Sequence, residues 1–151
     1  MKIGIASDHR GYDLKQKLIS YLKKKKYDVE DFGTTSKSSV DYPNFGFRLG
    51  EAVADETIDY GIAICGSGIG ISIACNKVNG VRCAKVDTPE EAVATRKDND
   101  ANILALNGNM STFKAKDIVD AFFRTNFSNL ERHQRRIDEI KNYEENRDRE
   151  V

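Results

Sequence analysis

ICGSGIGISIACNKVNGVRCA, the stretch from Ile64 to Ala84, decides the fold of this chain. An apolar strand ends at Cys65 and enters a glycine-rich turn, GSGIG, and the turn opens a helix. Free backbone N–H groups and the helix dipole at such a place lower the pKa of a thiol and stabilise an anion formed beside it. The stretch therefore predicts that Cys65 abstracts a proton from, or attacks, a group that becomes negatively charged.

Outward from this stretch, strand-like and helical patterns alternate along the whole chain, which is typical of an α/β fold with a parallel sheet covered by helices. Five strands are predicted at residues 3–6, 27–32, 58–65, 81–86 and 102–106. Helices are predicted around 14–22, 45–53, 69–77, 89 onward, 113–123 and 130–145, with a polar loop at 33–43. Thr88, Pro89 and Glu91 have the types and spacing of a helix cap, a first helical residue and a capping box.

Composition limits the class of protein. At 151 residues and 39% hydrophobic, the chain suits one domain over residues 1–151. Its zero net charge argues against a nucleic-acid partner. Three cysteines without a CxxC pair indicate reduced thiols in a cytoplasmic protein, and two histidines argue against a zinc site. The apolar runs fall short of the roughly 20 residues that span a bilayer, so no membrane contact is expected.

Polar residues follow the first strand as they follow the third. The segment SDHRG, residues 7–11, places a carboxylate, an imidazole and a guanidinium at a strand end, where parallel α/β proteins bind ligands. A structural alternative is that Asp8 caps the first helix and His9 is a surface residue. Cys65 could likewise be a small buried hydrophobe, as we expect of Cys75 and Cys83, but its position at a strand end favours a chemical role.

Two further patterns have competing interpretations. The glycine turn with Asp87 about twenty residues later suggests a dinucleotide site, but GxGxG after a third strand departs from GxGxxG after a first one. The cluster at 132–136 is either a solvated helix face or a phosphate site. Arg132 and Arg136 are four residues apart and share one face of a helix, so two guanidinium forks can hold one phosphate.

Five motifs together resemble the ribose-5-phosphate isomerase B family, which is grouped with the bacterial galactose-6-phosphate isomerase subunits. They are SDHRG at 7–11, VDYP at 40–43, the stretch 64–82, NDANILAL at 99–106 and RHQRR at 132–136. The resemblance covers essentially the whole chain. It implies a Rossmann-like three-layer sandwich with a C-terminal helix, and a homodimer or tetramer whose subunits share active sites. It also implies interconversion of aldose and ketose phosphosugars, in the pentose phosphate pathway, without metal or cofactor.

The resemblance also assigns roles. Cys65 becomes the base that moves a proton between C2 and C1 through an enediolate, while Asp98 stands where a histidine usually opens the sugar ring. The residues implied to stabilise the enediolate or bind the sugar are Ser67, Gly66, Gly68, Ile69, Gly70, Asp8, Tyr42 and, from the partner subunit, Asn99. The residues implied to hold the phosphate are His9, Arg132 and Arg136, with His133 nearby.

Two departures from the family pattern matter, those at Asp98 and Asn109, and a third difference, at Ser67, keeps the chemistry. Asp98 replaces the ring-opening histidine; an exposed aspartate is a poor acid at neutral pH but a competent base. Ser67 stands where threonine is common and keeps the hydroxyl. Asn109 stands where an arginine often contacts phosphate, a loss of about 1 to 3 kcal/mol for a charged hydrogen bond.

The resulting hypothesis is a cofactor-free isomerase of ribose 5-phosphate and ribulose 5-phosphate. The same chemistry on allose 6-phosphate or galactose 6-phosphate is the nearest alternative, since an acidic residue at position 98 also occurs on the galactose-6-phosphate side of the family. Two non-catalytic alternatives are a phosphosugar-binding protein and a nucleotide-binding flavodoxin-like module.

Overall fold

The computed structural model describes residues 1–147. Its sheet contains five parallel strands in the order β2-β1-β3-β5-β4: β1 (Lys2–Ser7), β2 (Asp28–Asp31), β3 (Tyr60–Cys65), β4 (Cys83–Lys85) and β5 (Ile103–Asn107). The helices are α1 (Tyr12–Lys24), α2 (Tyr42–Ala54), α3 (Ile69–Asn76), α4 (Pro89–Asn99), α5 (Thr112–Arg124) and α6 (Glu131–Glu145). The predicted α/β fold with a five-stranded parallel sheet and a C-terminal helix is confirmed.

Both faces of the sheet are buried, as the apolar strands predict. Isoleucines and leucines of β1, β3 and β5 point to one face, where they pack with α1 and α5 around Leu18 and Phe122. Alanines and Cys65 point to the other face, where Leu49 of α2 and Ile71 of α3 cover them. Each large apolar side chain buried this way stabilises the fold by about 1.5 to 3 kcal/mol.

The helix starts follow local capping chemistry. Thr88 caps α4 by accepting a hydrogen bond from the backbone N–H of Glu91 at 3.2 Å, and Pro89 stands in the first turn. The Glu91 carboxylate accepts from the N–H of Asp87 at 2.9 Å, one residue before the position that the capping box predicts. Helix α2 begins at Tyr42, inside the predicted loop, because Pro43 suits a first turn whose N–H groups need no partner.

Two strands are shorter than predicted. Strand β4 spans three residues instead of the six at 81–86, and β2 spans four. Both lie at the ends of the sheet and pair with one neighbour only. In the described part of the chain, no helix is long and apolar enough to cross a membrane.

Because all five strands run in the same direction, the sheet has two chemically different edges. We call the edge where the strands end the carboxyl edge and the one where they begin the amino edge. The strand order changes direction between β1 and β3, and crevices of this kind outside the carboxyl ends of strands are the usual ligand sites of open α/β sheets. The helices carry the chain from the carboxyl edge back to the amino edge. The eleven residues of α4, for example, span about 16 Å between the carboxyl end of β4 and the amino end of β5.

Candidate active site

Asp8 and Cys65 lie on either side of this reversal of strand order, directly after β1 and at the end of β3. Asp8 is 5% exposed, and its Oδ1 accepts hydrogen bonds from the backbone N–H groups of Arg10 at 2.9 Å and Gly11 at 3.1 Å. Asp8 thus holds the turn before α1, while the residue that caps the helix is Gly11. Among residues 1–147 nothing donates to its Oδ2, which leaves one carboxylate oxygen for a ligand.

Cys65 is 4% exposed and belongs to the alanine-rich side of the core. After it, the backbone N–H groups of Gly66, Ser67 and Gly68 have no acceptor within the described residues. The Ser67 hydroxyl accepts from the N–H of Ile69 at 3.1 Å. Three successive free N–H groups at the start of α3, beside a thiol, form a place where a negative charge is stabilised.

Gly68 is required by two independent features of this turn. Its φ is +78°, in the left-handed region that favours glycine, and a Cβ there would lie 2.8 Å from the carbonyl carbon of Leu106. The turn therefore sits tightly against the end of β5. The backbone N–H of Gly108 donates to the carbonyl of Cys65 at 2.8 Å, which fixes the two strand ends to each other.

Aromatic and cationic side chains lie against the other glycines. A Cβ added to Gly70 would lie 2.7 to 3.0 Å from the phenol group of Tyr42. A Cβ added to Gly66 would lie 2.6 to 2.8 Å from the guanidinium of Arg10. Arg10 is exposed and was not identified by sequence analysis as a site residue, although it is the fourth residue of SDHRG. Asn109 donates to the carbonyl of Gly66 at 3.2 Å, so this position does lie at the turn.

His9 has a defined partner on the loop before α2. Its Nδ1 accepts from the backbone N–H of Val40 at 3.2 Å. Because Nδ1 is the acceptor, Nε2 carries the proton in the neutral ring and remains a donor. We call Asp8, His9, Tyr42, Cys65 and the turn 66–70 the carboxyl-edge half.

Asp98, Asn99, His133 and Arg136 lie elsewhere, in a cavity of about 550 Å³ between the end of α4, the start of β4 and α6. We call these four residues the amino-edge half. His133 is 9% exposed, and its Nε2 lies 3.4 Å from Oδ1 of Asp98, whose side chain is 52% exposed. Arg132 is exposed on α6 and does not line this cavity.

Two arginines hold the amino-edge half in place. Arg96 is 5% exposed and donates to Asp100 Oδ1 at 2.7 Å and to the carbonyl of Ala101 at 2.8 Å. Arg82 donates to the carbonyl of Asn99 at 2.9 Å, and the Thr95 hydroxyl to the Asn99 side-chain oxygen at 2.9 Å. Sequence analysis identified neither arginine, although the i, i+4 spacing of Arg96 and Asp100 is a signal that could have found that pair.

Cys83 also lines this cavity and differs from the other two thiols. Cys75 is fully buried, as predicted, with its Sγ 3.5 Å from the carbonyl of Gly46. Cys83 is half-buried as a residue, but a hydrogen bond with Cys75 and the burial of its sulfur raise the pKa of the Cys83 thiol well above its ordinary value. At neutral pH, Cys83 is therefore a neutral thiol.

The two halves occupy opposite edges of the sheet. Asp8 and Cys65 follow strands, whereas Asp98 and Asn99 end the helix that carries the chain toward the start of β5. The amino-edge cavity includes none of the residues of the carboxyl-edge half. One chain therefore does not bring Cys65 and Asn99 together.

Comparison with known proteins identifies related chains. A family model described as Ribose/Galactose Isomerase matches residues 3–140. Ribose-5-phosphate isomerase B of Escherichia coli is 38% identical over 147 residues, covering 97% of this chain and 98% of its own.

Solved structures agree with the sequence matches. Ribose-5-phosphate isomerase B of Clostridium thermocellum has a TM-score of 0.94 and 47% identity over 97% of this chain and 99% of its own. The enzyme of Mycoplasma genitalium, solved with bound ribulose 5-phosphate, has a TM-score of 0.91 and 40% identity over 95% and 96% of the two chains. The predicted family resemblance is confirmed.

Proposed function

The chain belongs to the ribose/galactose isomerase family, and from that membership we propose that it interconverts ribose 5-phosphate and ribulose 5-phosphate through an enediolate, with Cys65 as the base. The protein is a sugar-phosphate isomerase. The observation that supports this reaction best is the thiol of Cys65 beside three free backbone N–H groups. A base next to an anion-stabilising turn is what proton transfer next to a carbonyl requires.

The proton transfers balance without a cofactor. The Cys65 thiolate removes the proton from C2 of the open-chain aldose, and the electron pair forms the C1–C2 double bond while O1 becomes the anion. The free N–H groups of Gly66, Ser67 and Gly68 bind this oxygen. The thiol, whose proton exchanges with solvent, protonates C1, and the hydroxyl proton on O2 passes to O1 through the polar groups around the sugar, which leaves the ketose.

Binding of the sugar involves both halves in this proposal. Asp8 binds sugar hydroxyls through its free carboxylate oxygen, and Tyr42 closes the pocket beside Gly70. His9 supplies an N–H donor for the phosphate, and Arg132 and Arg136, with His133 nearby, supply positive charge and further donors. Asn99 approaches the enediolate oxygen, and Asp98 acts on the ring form of the sugar.

We further propose that each site combines the carboxyl-edge half of one chain with the amino-edge half of another. The two halves lie at opposite edges of one sheet, so a second copy is needed to bring Asn99 and Arg136 to Cys65. A twofold dimer places two such sites symmetrically, because each surface patch meets its complement twice. A homodimer, or a tetramer built from it, is the expected assembly.

The experiment that tests this function is proton NMR of the purified protein in deuterated water. Ribose 5-phosphate, allose 6-phosphate and galactose 6-phosphate are supplied separately, beside a Cys65→Ala variant. We expect rapid formation of ribulose 5-phosphate with deuterium at C1, lost in the variant. Turnover of a hexose phosphate alone would assign the protein to phosphohexoses, and binding without exchange on all three sugars would make it a binding protein.

A further inference from the structure

We propose that His133 is a positioning residue that holds Asp98 for opening the furanose ring of the substrate. This inference rests on the proposed isomerase function. It assigns the ring-opening step to a pair of side chains on α4 and α6, with Asp98 in contact with the sugar and His133 behind it.

The burial of the two groups determines this division of roles. His133 is 9% exposed, so its imidazole is covered, whereas half of the Asp98 side chain faces solvent in the same cavity as Asn99 and Arg136. The 3.4 Å contact joins the imidazole Nε2 to Oδ1 of Asp98. Asp98 Oδ2 has no donor among residues 1–147, and it is the oxygen left for the substrate.

The contact matters because Asp98 has no other partner in the described chain. The neighbouring residues Asn99 and Asp100 are fixed by Arg82 and Arg96, but the Asp98 side chain is not among the groups those arginines bind. An exposed carboxylate samples several rotamers, and losing that freedom at the moment of reaction costs free energy. The covered imidazole on α6, with its Nε2 3.4 Å from the carboxylate, restricts the carboxylate before the sugar arrives.

A single carboxylate can carry out both proton transfers of the ring-opening step. Asp98 Oδ2 takes the proton from the O1 hydroxyl of the ring form, and the O1–H electron pair becomes the second bond of the C1 carbonyl. The C1–O4 bond breaks with its electron pair on O4. The Asp98 carboxyl then gives the same proton to O4, which restores the carboxylate and leaves the open-chain aldehyde.

The chemistry of the two sugars provides a selective test. Ribose 5-phosphate closes a ring through O4, so the reaction from this side needs ring opening. Ribulose 5-phosphate has no such ring, because its C5 oxygen carries the phosphate. Exchange of its C1 hydrogen with solvent therefore requires Cys65 but does not require Asp98 or His133.

We would measure kcat/KM for ribose 5-phosphate and, in deuterated water, the rate of deuterium entry at C1 of ribulose 5-phosphate. The variants are Asp98→Asn, His133→Leu and His133→Gln, whose amide nitrogen takes the place of Nε2. Gln134→Ala, on the outer face of α6, is the matched control. General acid–base catalysis contributes about 10²- to 10⁴-fold, so we expect Asp98→Asn to lower kcat/KM about 100-fold, and His133→Leu about 30-fold. Deuterium entry should stay within about threefold of the wild type in both, and His133→Gln should keep both rates.

Equal losses in both assays, or no loss with ribose 5-phosphate, would overturn the role of the pair. Failure of His133→Gln to restore the rate would show that the imidazole itself transfers protons and would overturn the positioning role. If His133→Leu does not fold, the test rests on Asp98→Asn and His133→Gln, because Asp98→Asn changes an exposed side chain. A wild-type protein inactive in both assays would instead refute the proposed isomerase function.

Discussion

The carboxyl-edge half and the amino-edge half are held by different forces. Backbone packing fixes the glycine turn of the first: the turn after Cys65 packs against β5, and glycines stand where a Cβ would collide. Side-chain hydrogen bonds fix the second, with Arg82 and Arg96 binding the end of α4. A substitution that adds a methyl group to a glycine should therefore destabilise the carboxyl-edge half. A substitution that removes a hydrogen-bond donor should destabilise the amino-edge half.

The largest effect should come from the thiol of the carboxyl-edge half. Cys65→Ser replaces the proposed base by a hydroxyl that stays protonated near neutral pH, so we expect kcat to fall about 10³-fold or more while the fold is kept. Cys75→Ser, in the same core layer, is the control and should stay within about tenfold of the wild type. Activity retained in Cys65→Ser would remove the thiol from the mechanism.

The next prediction separates the halves onto different chains. Cys65→Ser and Asn99→Ala are each expected to be nearly inactive, but a mixed dimer contains one site with both residues intact. Refolding the two variants together in equal amounts should restore about a quarter of wild-type activity, because half of the dimers are mixed and half of their sites are complete. The specific activity of the refolded mixture is the measurement. No recovery, with mixed dimers demonstrated by mass spectrometry, would place each site within one chain.

Removing the buried hydrogen-bond donor Arg96 should destabilise the amino-edge half. Arg96→Met takes a buried donor away from the carboxylate of Asp100 and from two backbone carbonyls, so we expect the free energy of unfolding to fall by about 2 to 4 kcal/mol. Lys97→Met, exposed on the same helix, should change it by less than about 0.5 kcal/mol. Urea unfolding compares the two variants, and equal stabilities would show that the network does not support this half.

Two alanine substitutions compare glycines within one turn. Gly68→Ala forces a left-handed backbone on alanine and meets the rigid carbonyl of Leu106, so it should cost about 1 to 3 kcal/mol. Gly66→Ala meets only the flexible end of Arg10 and should cost less than about 1 kcal/mol. Thermal unfolding measures both, and a reversed order would contradict the packing described for this turn.

The smallest effect concerns the thiol of the amino-edge cavity. The raised pKa of Cys83 keeps its thiol protonated at pH 8.5, where an ordinary thiol is about half ionised. Because the thiolate is the nucleophile, alkylation of Cys83 by iodoacetamide at this pH should be several-fold slower in the folded protein than in urea. Mass spectrometry of digested samples gives the rate for this residue. Equal rates would mean that neither Cys75 nor burial protects the thiol.

Sequence analysis reached the carboxyl-edge half because that half is local. Asp8 and Cys65 each follow an apolar run, and strand ends of a parallel sheet meet at one edge. It did not find the Arg10 guanidinium over Gly66, because that contact joins segments far apart in the chain. It also overlooked the pair of Arg96 and Asp100, although their i, i+4 spacing is a helical signal. The pairing of His133 with Asp98 depends on how α6 packs on α4, which neither helix pattern encodes.

The distance between the two halves within one chain has an evolutionary consequence. In the shared-site dimer that we propose, duplication of the gene lets one copy lose its carboxyl-edge residues and the other its amino-edge residues, while a mixed pair still keeps one complete site. The two copies then depend on each other and are retained together, while the abandoned half of each is free to acquire another specificity. In that proposed dimer, the opposite placement of the two halves on a single sheet is enough to make two diverged copies obligate partners.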